Sequence, residues 1–180
     1  MTAPEPYAGV TTHTPVRHHI LSVLVENKAG VLARIAGLFA RRGFNIYSLA
    51  VAPAEGHARF SRVTIVVDAE SAPLEQIVGQ LNKLVNVVDI KDLAPRDALE
   101  RELLLATLPV DDGNRAAVLE VVANAAASIV DVNATSLSVV LAGTPHACDL
   151  LERALEGFSD VELQRTGRVA LPRLTQTESL

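Results

Sequence analysis

The sequence predicts an α+β protein built from two tandem domains, each with the element order β-α-β-β-α-β. Short β-branched runs alternate with apolar residues at helical spacing, and this order occurs twice, with turn-forming residues between the segments. The 180 residues are 49% hydrophobic, which is ample for one or two small cores. Because aromatic residues make up only 3% of the chain, those cores are expected to be aliphatic.

The first half contains four predicted strands and two predicted helices. The strands are expected at residues 20–25, 45–52, 60–67 and 87–93. The apolar face of the first helix consists of Val31, Leu32, Ile35, Leu38 and Phe39. Gly43 suits the left-handed position that ends a helix, and Pro73 suits the first turn of the second helix. This order closes into an antiparallel four-stranded sheet with both helices on one face, the ferredoxin-like arrangement.

The second half repeats this order after a boundary at Pro95-Arg96-Asp97. Its strands are predicted at residues 102–109, 129–134, 137–141 and 161–171, and its helices at residues 114–127 and 145–156. The predicted domain organisation is therefore a flexible tail at 1–16, a first domain at 17–95, a second domain at 97–172 and a flexible tail at 173–180.

The two halves also share a short sequence pattern. Residues 27–32 align with residues 114–119, an offset of 114 − 27 = 87. The match reflects either two distant copies of one domain or chance similarity between two helices rich in Ala and Val. If the halves are copies, Ala117 stands where the first half has Gly30, and the second copy keeps the fold while losing any pocket at that position.

Composition excludes several classes of function. The net charge is −5, and no basic run is long enough to follow a phosphate backbone, which argues against nucleic acid as a partner. An RNA-recognition module would need aromatic residues on its central strands, where only Phe60 is available. Cys148 is the only cysteine, which favours a reducing compartment, and no apolar run is long enough to span a membrane. We therefore expect a cytoplasmic protein.

The loop between the first strand and the first helix is the best candidate for a binding site. The first turn of a helix carries backbone N–H groups without intrahelical partners, so it favours a small anion. Gly30 lacks a Cβ and lets a ligand approach the backbone, and the Asn27 side chain offers both a donor and an acceptor. A carboxylate with an adjacent ammonium group would suit this loop. Alternatively, Asn27 only caps the helix.

A catalytic site is not indicated. An acylphosphatase-like enzyme of the same topology would need an Arg in the loop at residues 27–30, which offers only Lys28. No Ser-His-Asp or Cys-His arrangement is apparent, and the five histidines lack metal-ligand spacing, so we predict neither catalytic residues nor a metal site.

Nine short pieces of the sequence carry a resemblance to a known family. Those in the first half are HILSVLVEN at 19–27, GVL at 30–32, GLF at 37–39, RGFNI at 42–46, SLAVAP at 48–53, SRVTI at 61–65 and LNKLV at 81–85. Those in the second half are REL at 101–103 and LSVVLAGT at 137–144. With these pieces, residues 18–95 resemble the ACT domain, a small amino-acid-binding module, and the wider chain resembles the regulatory (small) subunits of acetolactate synthase. The order and spacing of the pieces make the resemblance specific from about residue 18 to residue 172.

The resemblance implies a regulatory subunit without chemistry of its own. Such a subunit binds and activates a catalytic subunit, which condenses two pyruvates, or pyruvate with 2-ketobutyrate, using thiamine diphosphate, Mg²⁺ and FAD. It also confers feedback inhibition by valine and other branched-chain amino acids. No cofactor is expected in the regulatory subunit itself. An ACT-type sensor that regulates a different enzyme is the alternative.

The resemblance also implies where the effector binds. Family members dimerise through their ACT domains, with the effector at the dimer interface. The positions matching the carboxylate side of the site are Asn27, Ala29, Gly30, Val31 and Leu32, whereas Asn45 and Ile46 match positions that reach the ligand from the partner protomer. The preferred effector, the stoichiometry with the catalytic subunit and the contact surface are not predicted.

Overall fold

The computed structural model describes residues 18–54, 59–68, 74–94 and 96–174. The predicted tail at 1–16, Pro73, Pro95 and residues 175–180 lie outside these ranges. The first domain consists of β1 (His18–Glu26), α1 (Val31–Arg42), β2 (Ile46–Pro53), β3 (Phe60–Asp68), α2 (Leu74–Leu81) and β4 (Val87–Leu93). None of the helices in this described part combines the length and apolar composition that crossing a lipid bilayer requires.

The first sheet has the strand order β2-β3-β1-β4 and is antiparallel throughout, which confirms the ferredoxin-like arrangement. β1 is a central strand, so its apolar run is buried on both faces. Leu21, Val23 and Val25 point towards the helices, where they join the buried apolar residues of α1 and α2.

The first helix begins and ends as its sequence predicts. Its N-cap is Gly30, and its buried residues are Val31, Ile35, Leu38 and Phe39. Gly43 adopts the left-handed conformation at φ 70°, where its amide donates to the Ala40 carbonyl. Arg41 and Arg42 lie exposed in the last turn, where their positive charges interact favourably with the negative end of the helix dipole.

The second domain consists of β5 (Ala98–Pro109), α3 (Arg115–Asn124), β6 (Ser128–Val132), β7 (Ser136–Gly143), α4 (Pro145–Leu155), β8 (Glu162–Arg165) and β9 (Val169–Pro172). Its sheet runs β6-β7-β5-β8, and β9 pairs separately with the beginning of β5. Thr144 caps α4 by accepting a hydrogen bond from the Ala147 amide. The second half therefore repeats the fold, with one strand added.

The single strand predicted at residues 161–171 is wrong, because the chain breaks there into β8 and β9. Gly167 lies between them at φ 77°, a left-handed conformation that interrupts an extended strand. The twelve-residue β5 holds both pieces: Leu104–Thr107 pair with β8, and Ala98–Arg101 pair with β9. The pairing with β9 also explains why β5 begins at Ala98 rather than at the predicted residue 102.

Two further predicted boundaries in the second half are wrong. The helix predicted at residues 114–127 ends at Asn124, and Ala126 takes a positive φ of 53° without a glycine to mark the turn. The strand predicted at residues 129–134 ends at Val132, because the Asn133 side chain accepts hydrogen bonds from the Thr135 and Ser136 amides and forms a turn.

The offset of 87 residues between the halves holds for the helices but not for the loops before them. Val31 and Ile35 are buried on α1, and Val118 and Val122 are buried at the corresponding positions of α3. However, α3 begins one turn earlier, at Arg115, so Ala117 lies inside the helix. The second domain thus has no glycine loop at the position that Gly30 occupies.

The back face of the first sheet, away from its helices, contacts the second domain. Ile20, Val66 and Leu93 from that face form a buried cluster with Ala98 and Ala170 from β5 and β9. The paired β5 and β9 segments therefore lie against the first sheet, which gives the domain boundary an apolar core of its own.

Candidate functional site

The loop between β1 and α1 is shaped by its backbone. The Asn27 amide donates to the Arg59 carbonyl at 2.7 Å, and the Lys28 amide donates to the Glu26 carbonyl at 2.9 Å. Gly30, not Asn27, is the N-cap of α1, so the interpretation of Asn27 as the helix cap is wrong. The chain therefore turns sharply at residues 27–30, and these residues are exposed.

Gly30 is needed at its position for conformational reasons. Its φ of 83° is left-handed, and a Cβ placed there would meet nothing within 4 Å. The position is therefore open to solvent or to a ligand, while other L-residues are strained there. No acidic side chain lies in the first turn of α1, so the charge that this helix end favours is not supplied from within the helix.

Two predicted contact residues adjoin this opening. Leu32 is 41% exposed, and Val31 is buried in the core. The Val31 amide donates to the Lys28 carbonyl at 3.3 Å, so this group already has a long hydrogen bond, contrary to the expectation that the first amides lack partners. A ligand would have to share or replace that bond.

A chain of polar side chains lies behind the loop. The Lys28 ammonium contacts the Glu26 carboxylate at 3.0 Å, and the Asn86 amide group donates to the same carboxylate at 2.6 Å. Arg34 on α1 donates to the Asn86 Oδ1 at 2.7 Å. Hydrogen bonds from Asn86 and then Lys28 hold the pKa of Glu26 below its usual value. Asn86 thus ties the end of β1 to the first turns of α1.

Sequence reasoning missed Asn86 and Glu26. Asn86 lies 60 residues from Glu26 and only 9% of it is exposed, and nothing in its neighbourhood along the chain indicates that it contacts this loop. The turn before β4 brings Asn86 to the loop. Its backbone carbonyl there also accepts a hydrogen bond from the Glu26 amide at 2.9 Å.

The structure does not bring Asn45 and Ile46 to the loop within one chain. The twelve residues of α1 span about 18 Å, and Gly30 and Asn45 lie at its opposite ends. The strand register agrees: Glu26 pairs with Phe60 at one end of the sheet, whereas Ile46 pairs with Val67 at the other. One amino acid cannot contact both groups in a single protomer.

Two cavities lie between the domains rather than at this loop. A cleft of about 680 Å³ is lined by residues of β2, α4 and the β8–β9 connection, including Tyr47, Glu102 and Arg165. A second, more apolar cavity of about 310 Å³ lies between β2, β3 and the paired β5 and β9 segments. None of the seven predicted effector residues lines either cavity.

A partly buried ion cluster, with Glu102 as its most buried member, supports one wall of the larger cleft. Arg165 donates Nε and Nη2 to the Glu102 carboxylate at 3.1 and 2.6 Å, and its Nη1 reaches Asp149 at 2.8 Å and Glu152 at 2.7 Å. The hydrogen bonds that Arg165 donates to Glu102 and the other carboxylates raise the pKa of Arg165, so the guanidinium stays charged. The cluster fastens α4 to β5 and β8.

Comparisons with known proteins cover both halves of the chain. A family profile described as "AHAS small subunit-like ACT domain" matches residues 21–89, and one described as "Small subunit of acetolactate synthase" matches residues 101–174. The chain is 49% identical over 155 residues to an acetolactate synthase small subunit of Mycobacterium bovis, covering 86% of this chain and 92% of that protein. It is 46% identical over 165 residues to the acetolactate synthase small subunit of Mycolicibacterium smegmatis, covering 92% and 93%.

A solved structure agrees with these relatives. The crystal structure of an acetolactate synthase small subunit from Thermotoga maritima superposes with a TM-score of 0.80 at 33% identity. The match covers 89% of this chain and 99% of the Thermotoga chain. The similarity therefore extends over both domains and their connection.

Proposed function

This chain belongs to the family of acetolactate synthase small subunits, and we propose that it activates the catalytic subunit and makes it sensitive to feedback inhibition by valine and other branched-chain amino acids. The first domain, residues 17–95, binds the effector, and the second, residues 97–172, completes the contact with the catalytic subunit. This subunit contributes no catalytic residues, metal or cofactor. Thiamine diphosphate, Mg²⁺ and FAD belong to the catalytic subunit, which it joins in the cytoplasm.

The observation that carries this proposal is the open, left-handed Gly30 at the start of α1. The residue leaves space above a helix end that favours an anion, with no acidic side chain in the first turn. The carboxylate of an amino acid fits that environment. The Glu26 carboxylate, held ionised beside the loop by Asn86 and Lys28, adds a negative charge on the side where the ammonium group would lie.

Antiparallel pairing of two β2 strands would bring the separated effector residues together. β2 lies at the edge of the first sheet, and Leu49 and Val51 on it are 38% and 42% exposed. Its last residue, Pro53, pairs with Ser61 at the end of the sheet that carries the Asn27–Gly30 loop. In a two-fold pair, Asn45 and Ile46 of a second protomer would reach that end. The homodimer would then complete the site.

The expected affinity depends on a few polar contacts and an aliphatic wall. The helix end stabilises a bound anion by about 0.3–1 kcal/mol, or by up to about 2 kcal/mol when the anion is partly buried. Charge-assisted hydrogen bonds contribute about 1.5–3 kcal/mol each. One methylene group distinguishes ligands by only about 1–3 kcal/mol, so valine, leucine and isoleucine are expected to compete with graded preference.

The deciding experiment is a thermal-unfolding panel with valine, leucine, isoleucine, serine and phenylalanine, on the chain alone and mixed with the catalytic subunit. A ligand at a hundredfold excess over its dissociation constant stabilises the fold by about 2.7 kcal/mol. We expect valine, leucine and isoleucine to stabilise the protein, and serine and phenylalanine to leave its unfolding temperature unchanged. Co-purification with the catalytic subunit, and its activity with and without this chain, test the second half of the proposal. If no amino acid stabilises either preparation, the effector assignment is wrong.

A further inference from the structure

Arg168 joins the second domain to the beginning of β2. Its backbone amide donates to the Ser48 Oγ at 2.9 Å, and its guanidinium lies 5.2 Å from the centroid of the Tyr47 ring. The same guanidinium pairs with Glu100 at 3.2 Å. Only 12% of the Arg168 side chain is exposed, so these contacts form a nearly buried bridge between the domains.

A β-bulge turns two consecutive side chains of β2 towards this bridge. Ile46 pairs with Val67 and Ser48 pairs with Val66, so Tyr47 is the extra residue between them. In a regular strand, Tyr47 and Ser48 would point to opposite faces. Here both reach Arg168, and Gly167 lies so close to Ser48 that a Cβ on it would be 2.8 Å from the hydroxyl.

The bridge begins one residue after the predicted effector contacts. Asn45 and Ile46 come immediately before Tyr47, and Ile46 is one of the two residues that flank the bulge. We propose that Arg168 is a positioning residue that couples effector occupancy at Asn45 and Ile46 to the second domain. This inference rests on the proposed function, because it assumes that an effector binds there.

The bridge is not what holds the domains together. The buried cluster of Ile20, Val66, Leu93, Ala98 and Ala170 joins the domains on the back face of the first sheet. Removing the Arg168 side chain therefore leaves an apolar interface in place. We expect the domains to stay associated while the contact with Tyr47 is lost, which separates coupling from folding.

The coupling has a defined physical requirement. An effector shifts the activity of the catalytic subunit only if it binds two states of the small subunit with different affinity. Those states would differ in the position of the β2 bulge and hence of Tyr47 against Arg168. Losing the bridge removes the second domain's response, while the effector contacts at Asn27 and Gly30 remain.

The test uses the complex reconstituted from full-length subunits, with Arg168→Ala, Arg168→Lys and Ser48→Ala. Arg173→Ala, at an exposed position of the same domain, is the control matched in charge. Binding of radiolabelled valine is measured by equilibrium dialysis, and activity is measured across a range of valine concentrations. Thermal unfolding of each variant checks folding. Ser48→Ala, which removes only a hydroxyl, gives the test if Arg168→Ala does not fold.

We expect Arg168→Ala to bind valine as the wild type does but to reach a clearly lower maximal inhibition at saturating valine. Arg168→Lys keeps the charge beside Glu100 and Tyr47, so it is expected to retain part of the response to valine. The control variant Arg173→Ala is expected to respond as the wild type does. Normal inhibition of a folded Arg168→Ala complex, or of the Ser48→Ala complex where Arg168→Ala does not fold, overturns this inference alone. A wild-type complex that binds no valine overturns the proposed function instead.

Discussion

The Arg168 amide and the Ser48 hydroxyl, 120 residues apart in the chain, form a 2.9 Å hydrogen bond between the two domains. The bond depends on the residue before Arg168, because Gly167 brings the backbone against Ser48 in a conformation that suits glycine. The domain boundary therefore contains a site where a single methyl group is expected to have a measurable effect.

Gly167→Ala is expected to destabilise the protein by at least about 1–2 kcal/mol, the cost of a left-handed residue with a Cβ. The new methyl group would also lie 2.8 Å from the Ser48 hydroxyl. The double variant with Ser48→Ala should therefore recover the part of the lost stability that this clash causes. Urea unfolding measures both effects. The control is Gly79→Ala in α2, where nothing lies within 4 Å and a gain of about 0.5–1 kcal/mol is expected. Equal effects of the two alanines would contradict this account.

Gly30→Asp is expected to abolish valine inhibition while activation of the catalytic subunit persists. The substitution places a carboxylate where the carboxylate of the effector is expected, so like charges repel. Gly30→Asn is the matched control, since asparagine has nearly the same shape and tolerates a left-handed backbone without adding charge. Inhibition curves of the reconstituted enzyme report the difference. Unchanged inhibition of Gly30→Asp would show that the effector binds elsewhere.

Mixing Gly30→Asp and Asn45→Ala subunits is expected to restore valine inhibition that neither variant shows alone. If Gly30 and Asn45 of different protomers form one site, the mixed dimer contains one site with both defects and one with none. If both residues served the same protomer's site, every site in the mixed dimer would carry one defect. Valine inhibition after joint refolding separates these arrangements, and failure to recover it argues against a shared site.

Arg165→Met is expected to destabilise the second domain by about 3–5 kcal/mol, because it leaves a buried carboxylate without its cation. Glu102 is 6% exposed and takes two hydrogen bonds from Arg165. Replacing both residues by apolar ones of similar volume should cost much less. Chemical denaturation of the single and double variants measures this difference. A double variant as unstable as Arg165→Met would show that the unpaired charge of Glu102 is not the cause of the destabilisation.

Acid is expected to weaken the structure behind the Asn27–Gly30 loop through Glu26. Its pKa is lowered in the folded protein by hydrogen bonds from Asn86 and Lys28. The resulting stability is therefore fully present above the ordinary pKa of 4.5 and is lost as the pH falls through the lower folded value. Glu26→Gln should flatten the decline in the urea midpoint between about pH 6 and pH 3. Glu120→Gln, at an exposed position of α3, is the control. A parallel decline of the urea midpoint in the wild type, Glu26→Gln and Glu120→Gln would refute this role of Glu26.

Local periodicity in the sequence was sufficient to predict most of the first domain. β4 was predicted at its observed bounds, and α1 begins and ends at the predicted glycines. Strand and helix repeats leave distinct patterns of apolar residues, and glycine marks the left-handed ends. The second half was predicted less well. Ala126 turns the chain without a glycine, and Gly167 divides a run that reads as one strand.

The sequence by itself determined the fold class, the family and the loop around Gly30, because each depends on residues that are neighbours along the chain. Tertiary structure alone decided which distant side chains meet. Asn86 reaches Glu26 across 60 residues, and Arg168 reaches Ser48 across 120. Such contacts arise when sheets and helices pack to bury apolar surface, and this packing leaves no periodic signal in the sequence around the polar residues that it brings together.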